Sequence, residues 1–213
     1  TGKTAAAVEL AKRIGAEIVS ADSMAIYKGM DIGTAKPSDA EKHQAQFHMI
    51  DLLEPSEPFT VADFQEQAVG LIDNLLKAGR VPLLVGGTGL YIRSVIDGLN
   101  IPGPGPDSKL REELEEFAAR KGSSYLYKEL QKVDAETAAR LHPNDTKRII
   151  RALEVYRQTG TPMSVVLKDT KAKEPRYPDA VQFGLTMERE KLYNRIEKRI
   201  DEQIELGFVE EVR

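Results

Sequence analysis

Cysteine is absent from the sequence, and histidine occurs only three times in 213 residues. Without cysteine the chain has no disulfide framework and no zinc site built from thiolates. The three histidines, His43, His48 and His142, do not have the spacing of metal ligands either. Stability must therefore come from a hydrophobic core. The 41% content of hydrophobic residues is enough for one sizeable core, or for a core with a small second lobe.

A strong charge of one sign and a long hydrophobic run are also missing. The net charge is only -4, so the protein has no global basic field, and any binding of nucleic acid must come from local patches. No run of about 18 apolar residues, the length that crosses a bilayer, is present, and no signal peptide precedes the first predicted helix. We therefore expect a cytoplasmic protein that has no membrane partner.

Helix and strand patterns alternate in the first half of the chain. Apolar residues at helical spacing predict one helix that ends at Gly15 and another over Val61–Ala78. Each helix leads to a short apolar run that is typical of a buried strand, over Glu17–Ala21 and Val81–Val85. A glycine-rich turn at 86–89 and another helix come after the second strand. This order predicts a parallel sheet with crossover helices.

The pattern changes at the run IPGPGP over 101–106, which can be neither helix nor central strand and therefore marks a domain boundary. Only helical signals come after it, as far as a charged loop. A strand over Val181–Met187 and a helix over Glu190–Arg213 then return to the first pattern. The predicted organisation is an α/β core over residues 1–104 and 180–213, with an all-helical insertion over residues 105–179.

Gly2-Lys3-Thr4 matches the end of a phosphate-binding loop, and an alanine-rich helix comes directly after it. Such a loop aims backbone N–H groups at an anion, while its lysine reaches phosphate oxygens and its hydroxyl helps to hold Mg²⁺. The alternative is an ordinary helix start that is capped by Thr1. The helix and the strand after it favour a P-loop NTPase-like core, in which Thr1, Gly2, Lys3 and Thr4 bind the anionic ligand and Thr4 binds Mg²⁺.

Two polar residues come after the two predicted strands. Asp22 stands directly after the first strand, and Thr88 lies in the glycine-rich turn after the second. In open α/β sheets, ligands bind outside the carboxyl ends of the strands, so both side chains are expected at one edge of the sheet. A carboxylate there can act as a general base or bind Mg²⁺, whereas an isolated aspartate in a turn is more often a cap. The nearby phosphate loop favours a functional role for both residues.

Basic residues cluster on two predicted helices. Arg195 and Arg199 form either a solvated helix face or a clamp on a phosphate group, for which the forked guanidinium is suited. Lys147, Arg148 and Arg151 form either an ordinary basic surface or a patch that meets a nucleic-acid backbone. The residues alone therefore indicate a phosphate-loop enzyme that acts on a phosphorylated substrate.

Several longer stretches resemble the tRNA dimethylallyltransferase family, also called tRNA isopentenyltransferases, of the bacterial type. They occur in the family's order along the chain, and the most specific are GMDIGTAKP and the glycine-rich turn. The matching stretches are Gly2-Lys3-Thr4, 22–27 (DSMAIY), 29–37 (GMDIGTAKP), His48 with Asp51, 82–91 (PLLVGGTGLY), 142–145 (HPND) and 151–156 (RALEVY). The first half of the family's phosphate loop and its later tRNA-contacting segments have no counterpart here. We therefore expect a part of a longer protein, with the first strand of the sheet before Thr1.

The resemblance implies a monomeric enzyme that transfers the dimethylallyl group of dimethylallyl diphosphate to N6 of adenine 37, beside the anticodon of tRNA. Asp22 matches the family's general base, with Thr88 beside it. Either Arg195, as the first choice, or Arg199 would stabilise the departing diphosphate together with Mg²⁺. The target base must leave the anticodon-loop stack to reach Asp22. The positions that match tRNA contacts are Asp22, Ser23, Met24, Ala25, Thr88, Arg111, Lys147, Arg148, Ile149, Ile150 and Arg151.

Three other functions use some of the same features. A small-molecule kinase would hold ATP in the phosphate loop, but the stretches at 22–27 and 29–37 argue against it. An adenylate isopentenyltransferase would prenylate free AMP, ADP or ATP, whereas the basic face of the helical insertion favours tRNA. A non-catalytic RNA-binding module would not need Lys3, Thr4 and Asp22 together.

Overall fold

The computed structural model of the chain describes residues 2–101, 105–168 and 174–213. These residues form two compact units, one up to Ile96 together with Arg176–Arg213 and the other over Asp97–Pro175. The predicted boundary at residue 104 and part of the predicted charged loop, residues 169–173, lie outside the described residues. Within the described ranges, no helix combines the length and the apolar character that a membrane crossing requires.

Helices and strands alternate from α1 to α4, and from α4 onwards the described residues form helices but no strand. In chain order the elements are α1 (Lys3–Ile14), β1 (Ala16–Ala21), α2 (Asp39–Lys42), β2 (Phe47–His48), α3 (Val61–Lys77), β3 (Val81–Gly86), α4 (Gly89–Ile96), α5 (Ser108–Lys121), α6 (Ser123–Val133), α7 (Ala135–Arg140), α8 (Thr146–Thr159), α9 (Met163–Lys168), α10 (Arg189–Glu205) and α11 (Phe208–Val212).

The sheet of the first unit is parallel, with the strand order β2-β1-β3. The central strand β1 is almost wholly buried, with Val19 and Ala21 fully inaccessible, which accounts for its continuous apolar sequence. Helix α3 covers the sheet through apolar residues at helical spacing, and Phe64 stacks on Tyr91 of α4 with ring centroids 4.0 Å apart. The parallel α/β core that the sequence predicted is therefore confirmed.

The last residues of β1 and β3 lie so close together that only glycine fits at the end of β3. Ala21 pairs with Gly86 across the ladder. A Cβ atom on Gly86 would lie 2.0 Å from the carbonyl oxygen of Ala21, so only glycine fits without moving the backbone. Because both strands run in the same direction and end at this pair, Asp22 and Thr88 emerge at the same edge of the sheet.

The strand predicted over Val181–Met187 is wrong, because this segment has no regular secondary structure. Its apolar side chains are exposed, with Val181 at 76% and Phe183 at 82% of their full accessibility. A β-strand exists only through hydrogen bonds to a neighbouring strand, and the described residues pair none with this segment. Alternation of apolar residues alone therefore could not establish a strand here.

The long helix predicted to run to Arg213 is also interrupted. Helix α10 ends at Glu205 and α11 begins at Phe208, with Gly207 between them at φ 95°. This left-handed backbone cannot continue a right-handed helix, and glycine adopts it at little cost. The apolar spacing of the sequence did not indicate this break.

The regular secondary structure of the second unit consists of helices alone in its described residues, as predicted. Its core comes from four of its helices, with Leu114, Leu126, Leu130 and Ile149 at 1% exposure or less. Helices α6 and α9, like α2 and β2 in the first unit, were not predicted. The spacing of Leu126 and Leu130, one turn apart, was a signal that could have identified α6.

Candidate active site

A cavity of ≈ 300 Å³ lies at the carboxyl ends of the parallel strands. It is lined by the start of α1, the residues after β1 and β3, the second half of the loop at 29–37 and one arginine of α10. The polar and small residues around it include Gly2, Lys3, Thr4, Ser20, Asp22, Thr34, Lys36, Gly86, Gly87 and Arg199. Residues that the sequence assigned to a phosphate site therefore share one cavity with Asp22, whereas Thr88 and Arg195 do not line it.

The end of the predicted phosphate loop has the geometry of an anion site. Gly2 caps α1 with a left-handed backbone and without a side-chain hydrogen bond, so the helix N-terminus opens into the cavity. The ammonium group of Lys3 reaches across to the glycine-rich turn, 3.8 Å from where a Cβ of Gly87 would stand. Thr4 also lines the cavity. Thr1, the remaining member of the predicted set, lies outside the described residues.

Both arginines of the predicted clamp lie at this site. The guanidinium of Arg195 lies against Gly2, where a Cβ would be 3.1 Å from Nη1. Arg199, one turn further along α10, lines the cavity itself. In the described part of the chain neither guanidinium is ion-paired with a carboxylate, and both residues are exposed.

Asp22 and Thr88 are held next to each other by the segment after β1. One carboxylate oxygen of Asp22 accepts hydrogen bonds from the backbone N–H groups of Met24 at 2.9 Å and Ala25 at 3.4 Å. The hydroxyl of Thr88 accepts a hydrogen bond from the backbone N–H of Ser23 at 3.1 Å. Asp22 therefore caps a turn and also lines the cavity. The two hydrogen bonds to one of its oxygens fix the orientation of the carboxylate.

The loop at 29–37, which the sequence marked only through its family resemblance, forms one wall of the cavity. Its Lys36 side chain is only 2% exposed, and its ammonium group donates to the carboxylates of Asp31 at 2.7 Å and Asp51 at 2.6 Å, and to the carbonyl of Tyr27. Burial opposes the charge of Lys36, but these two carboxylates outweigh it and raise its pKa. The charged Lys36 therefore joins this wall of the cavity to the segments that contain Tyr27 and Asp51.

In the second unit two of the three arginines of the predicted tRNA surface, Arg111 and Arg151, share one buried partner. Glu154 is fully buried, and its carboxylate accepts two hydrogen bonds from Arg111, at 2.8 and 2.9 Å, and one from Arg151 at 2.5 Å. The backbone N–H of Asp107 donates a fourth, at 2.8 Å. Burial raises the pKa of Glu154, but the two guanidinium groups lower it by more. Sequence reasoning did not identify Glu154.

Two residues of the predicted tRNA surface point elsewhere. Ile149 and Ile150 are 0% and 4% exposed and belong to the core of the helical unit. Their side chains are therefore turned away from solvent, because consecutive positions on a helix cannot all face outwards. Contact of these two positions with tRNA stays a prediction. Lys147 and Arg148, at the first turn of α8, are exposed as predicted.

A family model described as IPP transferase matches residues 25–213. The tRNA dimethylallyltransferase of Halothermothrix orenii is 47% identical over 212 residues, which cover 100% of this chain and 64% of that protein. The tRNA dimethylallyltransferase of Geobacter metallireducens is 49% identical over 213 residues, covering 100% and 68%. The chain thus spans about two thirds of the length of these curated relatives.

Solved structures resemble the chain over nearly its whole length. The full-length tRNA isopentenylpyrophosphate transferase of Bacillus halodurans shares 44% identity and a TM-score of 0.62, covering 99% of this chain and 64% of that one. A eukaryotic dimethylallyltransferase acting on tRNA has a TM-score of 0.78 at 27% identity, covering 99% of this chain and 52% of that one.

Proposed function

The chain belongs to the IPP transferase family, and from that premise we propose that it transfers the dimethylallyl group of dimethylallyl diphosphate to N6 of adenine 37 in tRNA. One observation carries the proposal: a single cavity brings Lys3 and Thr4 of the phosphate loop together with Arg199 and the carboxylate of Asp22. Lys3, Thr4 and Arg199 can bind a diphosphate, and the carboxylate of Asp22 can accept a proton from the amine that receives the allyl group.

The donor half of the reaction breaks the allylic C–O bond, and negative charge develops on the bridging oxygen of the leaving diphosphate. We expect that charge to be stabilised by the open N-terminus of α1, the ammonium of Lys3 and the guanidinium groups of Arg195 and Arg199, which lie at or beside the cavity. The apolar side chains of Ile18, Phe47 and Val85 in the same cavity would keep water from the allyl group.

The residues present also fit Mg²⁺ as a cofactor. Among the described residues there is no group of three His, Cys, Asp or Glu side chains that could hold a metal ion alone. Mg²⁺ in phosphate-loop sites uses few protein ligands and takes the rest from phosphates and water, so the hydroxyl of Thr4 suffices on the protein side. When bound, the ion would neutralise charge on the diphosphate.

The acceptor half of the reaction forms the bond between N6 and the allylic carbon. The adenine amine is a weak nucleophile because its lone pair is delocalised into the ring. Asp22 would accept the N6 proton as the new C–N bond forms, which leaves a neutral secondary amine on the base. The turn around Met24 and Ala25 keeps the carboxylate oriented for that transfer.

The choice of acceptor tests the proposal. The protein is incubated with dimethylallyl diphosphate labelled in the allyl group, together with either tRNA or AMP. We expect label in tRNA as N6-(dimethylallyl)adenosine at position 37 and none in AMP. Label in AMP but not in tRNA would overturn the proposal in favour of an adenylate isopentenyltransferase.

The exposed start of α8 gives a prediction about tRNA affinity. We expect Lys147→Ala combined with Arg148→Ala to weaken tRNA binding and to reduce the slope of log K against log salt concentration by about 2, roughly one for each lost phosphate contact. Arg151 is left in place because its guanidinium is engaged with Glu154. Binding is measured by filter retention at several salt concentrations.

The matched control removes two positive charges from another exposed site of the same unit, through Arg120→Ala with Lys121→Ala at the end of α5. This variant is expected to keep the wild-type slope. If the α8 variant also keeps the wild-type slope, the start of α8 is not a tRNA surface.

A further inference from the structure

The loop at 29–37 is held from outside the sheet by a single carboxylate. Glu211 of α11 accepts hydrogen bonds from three consecutive backbone N–H groups, those of Asp31 at 2.7 Å, Ile32 at 2.7 Å and Gly33 at 2.9 Å. Successive N–H groups that converge in this way form a concave anion site, and here a side chain of the same protein fills it.

Two further contacts join helices α10 and α11 to the loop at 29–37. The side-chain amide of Gln203 in α10 donates to the carbonyl of Ile32 at 2.5 Å. The ring of Phe208 in α11 covers Gly33 so closely that a Cβ there would lie 2.4 Å from the ring. The contacts with Glu211, Gln203 and Phe208 together leave little freedom to residues 31–33.

Polar contacts are the main attachment at this point of the molecule. Neither α10 nor α11 contains a fully buried side chain, and the apolar residues Ile196, Ile200 and Ile204 of α10 are about half exposed. Burial of apolar surface therefore contributes little to the attachment of α11 to the rest of the first unit. The charged hydrogen bonds of Glu211 are the stronger ones, since a bond to an ionised acceptor contributes more than a neutral one.

The loop continues directly from this contact into the cavity. Thr34, Ala35, Lys36 and Pro37 line the cavity, immediately after the three residues that Glu211 holds. Helix α10 also carries Arg195 and Arg199, which lie at the phosphate side of the same cavity. One helical segment thus contacts both sides of the space in which the donor would bind.

We propose that Glu211 is a positioning residue for the donor site, which fixes the wall at 34–37 by occupying the N–H groups of residues 31–33. This inference rests on the proposed function for its ligand, dimethylallyl diphosphate. Burial alone would raise the pKa of Glu211, but the three N–H groups lower it, so the carboxylate is ionised at neutral pH. Loss of the contact is expected to loosen the donor site and to leave the helical unit unchanged.

The test compares Glu211→Ala, Glu211→Gln and Glu210→Ala. Glu210 is the exposed neighbour on α11 and serves as the matched control. For each variant we measure the affinity for dimethylallyl diphosphate by calorimetry, the affinity for tRNA, and amide hydrogen exchange at residues 31–33 in the free protein.

We expect Glu211→Ala to weaken the binding of dimethylallyl diphosphate by about tenfold, to speed exchange at residues 31–33 and to keep the affinity for tRNA. Glu211→Gln should fall between Ala and the wild type, because its carbonyl oxygen can still accept from Asp31 and Ile32. Glu210→Ala should match the wild type in all three measurements.

The inference is overturned if Glu211→Ala binds dimethylallyl diphosphate as tightly as Glu210→Ala does, or if it weakens both ligands equally. A wild-type protein that binds no dimethylallyl diphosphate would instead contradict the proposed function. In that case the exchange rates at residues 31–33 still decide whether Glu211 fixes the loop, since that measurement needs no ligand.

Discussion

Replacing Asp22 by asparagine is expected to lower kcat by about a hundredfold or more, while tRNA and dimethylallyl diphosphate bind as before. The variant retains a side-chain oxygen that can accept from the backbone N–H groups of Met24 and Ala25, so the turn is kept. What it loses is the ability to take the proton from the adenine N6. Single-turnover measurements with pre-bound substrates report this step without contributions from product release.

The comparison with Asp22→Ala separates the proposed role of this carboxylate as a base from its observed role as the cap of a turn. Alanine removes both the base and the cap of the turn, so it should reduce turnover and also lower thermal stability, by an amount typical of a lost local hydrogen bond. Asparagine should reduce turnover at nearly unchanged stability. Turnover of Asp22→Asn within a few-fold of the wild type would show that Asp22 is only a cap.

Replacing Glu154 by alanine is expected to destabilise the helical unit by about 3 kcal/mol, the lower end of the range for breaking a buried ion pair. The carboxylate is fully buried, whereas Arg111 and Arg151 remain 39% and 30% exposed and can turn partly to solvent when it is removed. Urea unfolding followed by circular dichroism measures the loss. A concurrent fall in tRNA affinity is expected, because both guanidinium groups lose their common anchor.

Glu129→Ala is the control for this prediction, since Glu129 forms an exposed pair with Lys132 on α6. Pairs of this kind contribute about 0 to 1 kcal/mol. Equal stability of the Glu154 and Glu129 variants would contradict the role given to the buried carboxylate.

The contribution of Glu154 to stability also depends on pH, because its pKa is lowered in the folded protein. The contribution is complete above the pKa that Glu154 has in the unfolded chain, and it is lost as the pH falls through the lower pKa of the folded state.

Local pattern was sufficient for the parts of the fold that local physics determines. The apolar spacing of α3 and the strands β1 and β3 appear as predicted. Only β1 is the buried strand that was expected, since β3 is partly exposed along its whole length. The place of Asp22 and Thr88 could also be predicted, because parallel strands bring the residues after their carboxyl ends to one edge of the sheet.

Features that depend on distant partners could not be predicted in this way. The segment Val181–Met187 has the alternation of a strand, but pairing is a property of two segments and not of one. Glu154 bonds to Arg111, 43 residues away in the sequence, and Glu211 bonds to backbone groups up to 180 residues away. Nothing in the local pattern of an acidic residue on a helix distinguishes such a partner from a solvated charge.

The residues of α8 that the family resemblance assigns to tRNA contact are not all on the exposed face of the helix. The resemblance assigned a continuous run of five residues, 147–151, to tRNA contact. A helix turns by about 100° per residue, so part of any such run must face the core, and Ile149 and Ile150 do. The exposed members, Lys147 and Arg148, are the ones that a tRNA backbone can reach from solution.

The claim that most needs a direct test is that the loop ending in Gly2-Lys3-Thr4 holds a diphosphate as a leaving group and not as a phosphoryl donor. Calorimetric titrations of the protein with dimethylallyl diphosphate and with ATP, each in the presence of Mg²⁺, compare the two ligands at the same cavity. We expect dimethylallyl diphosphate to bind at least about tenfold more tightly, a difference of roughly 1.4 kcal/mol. Tighter binding of ATP, with transfer of its terminal phosphate to an acceptor, would contradict the proposed function and favour a kinase.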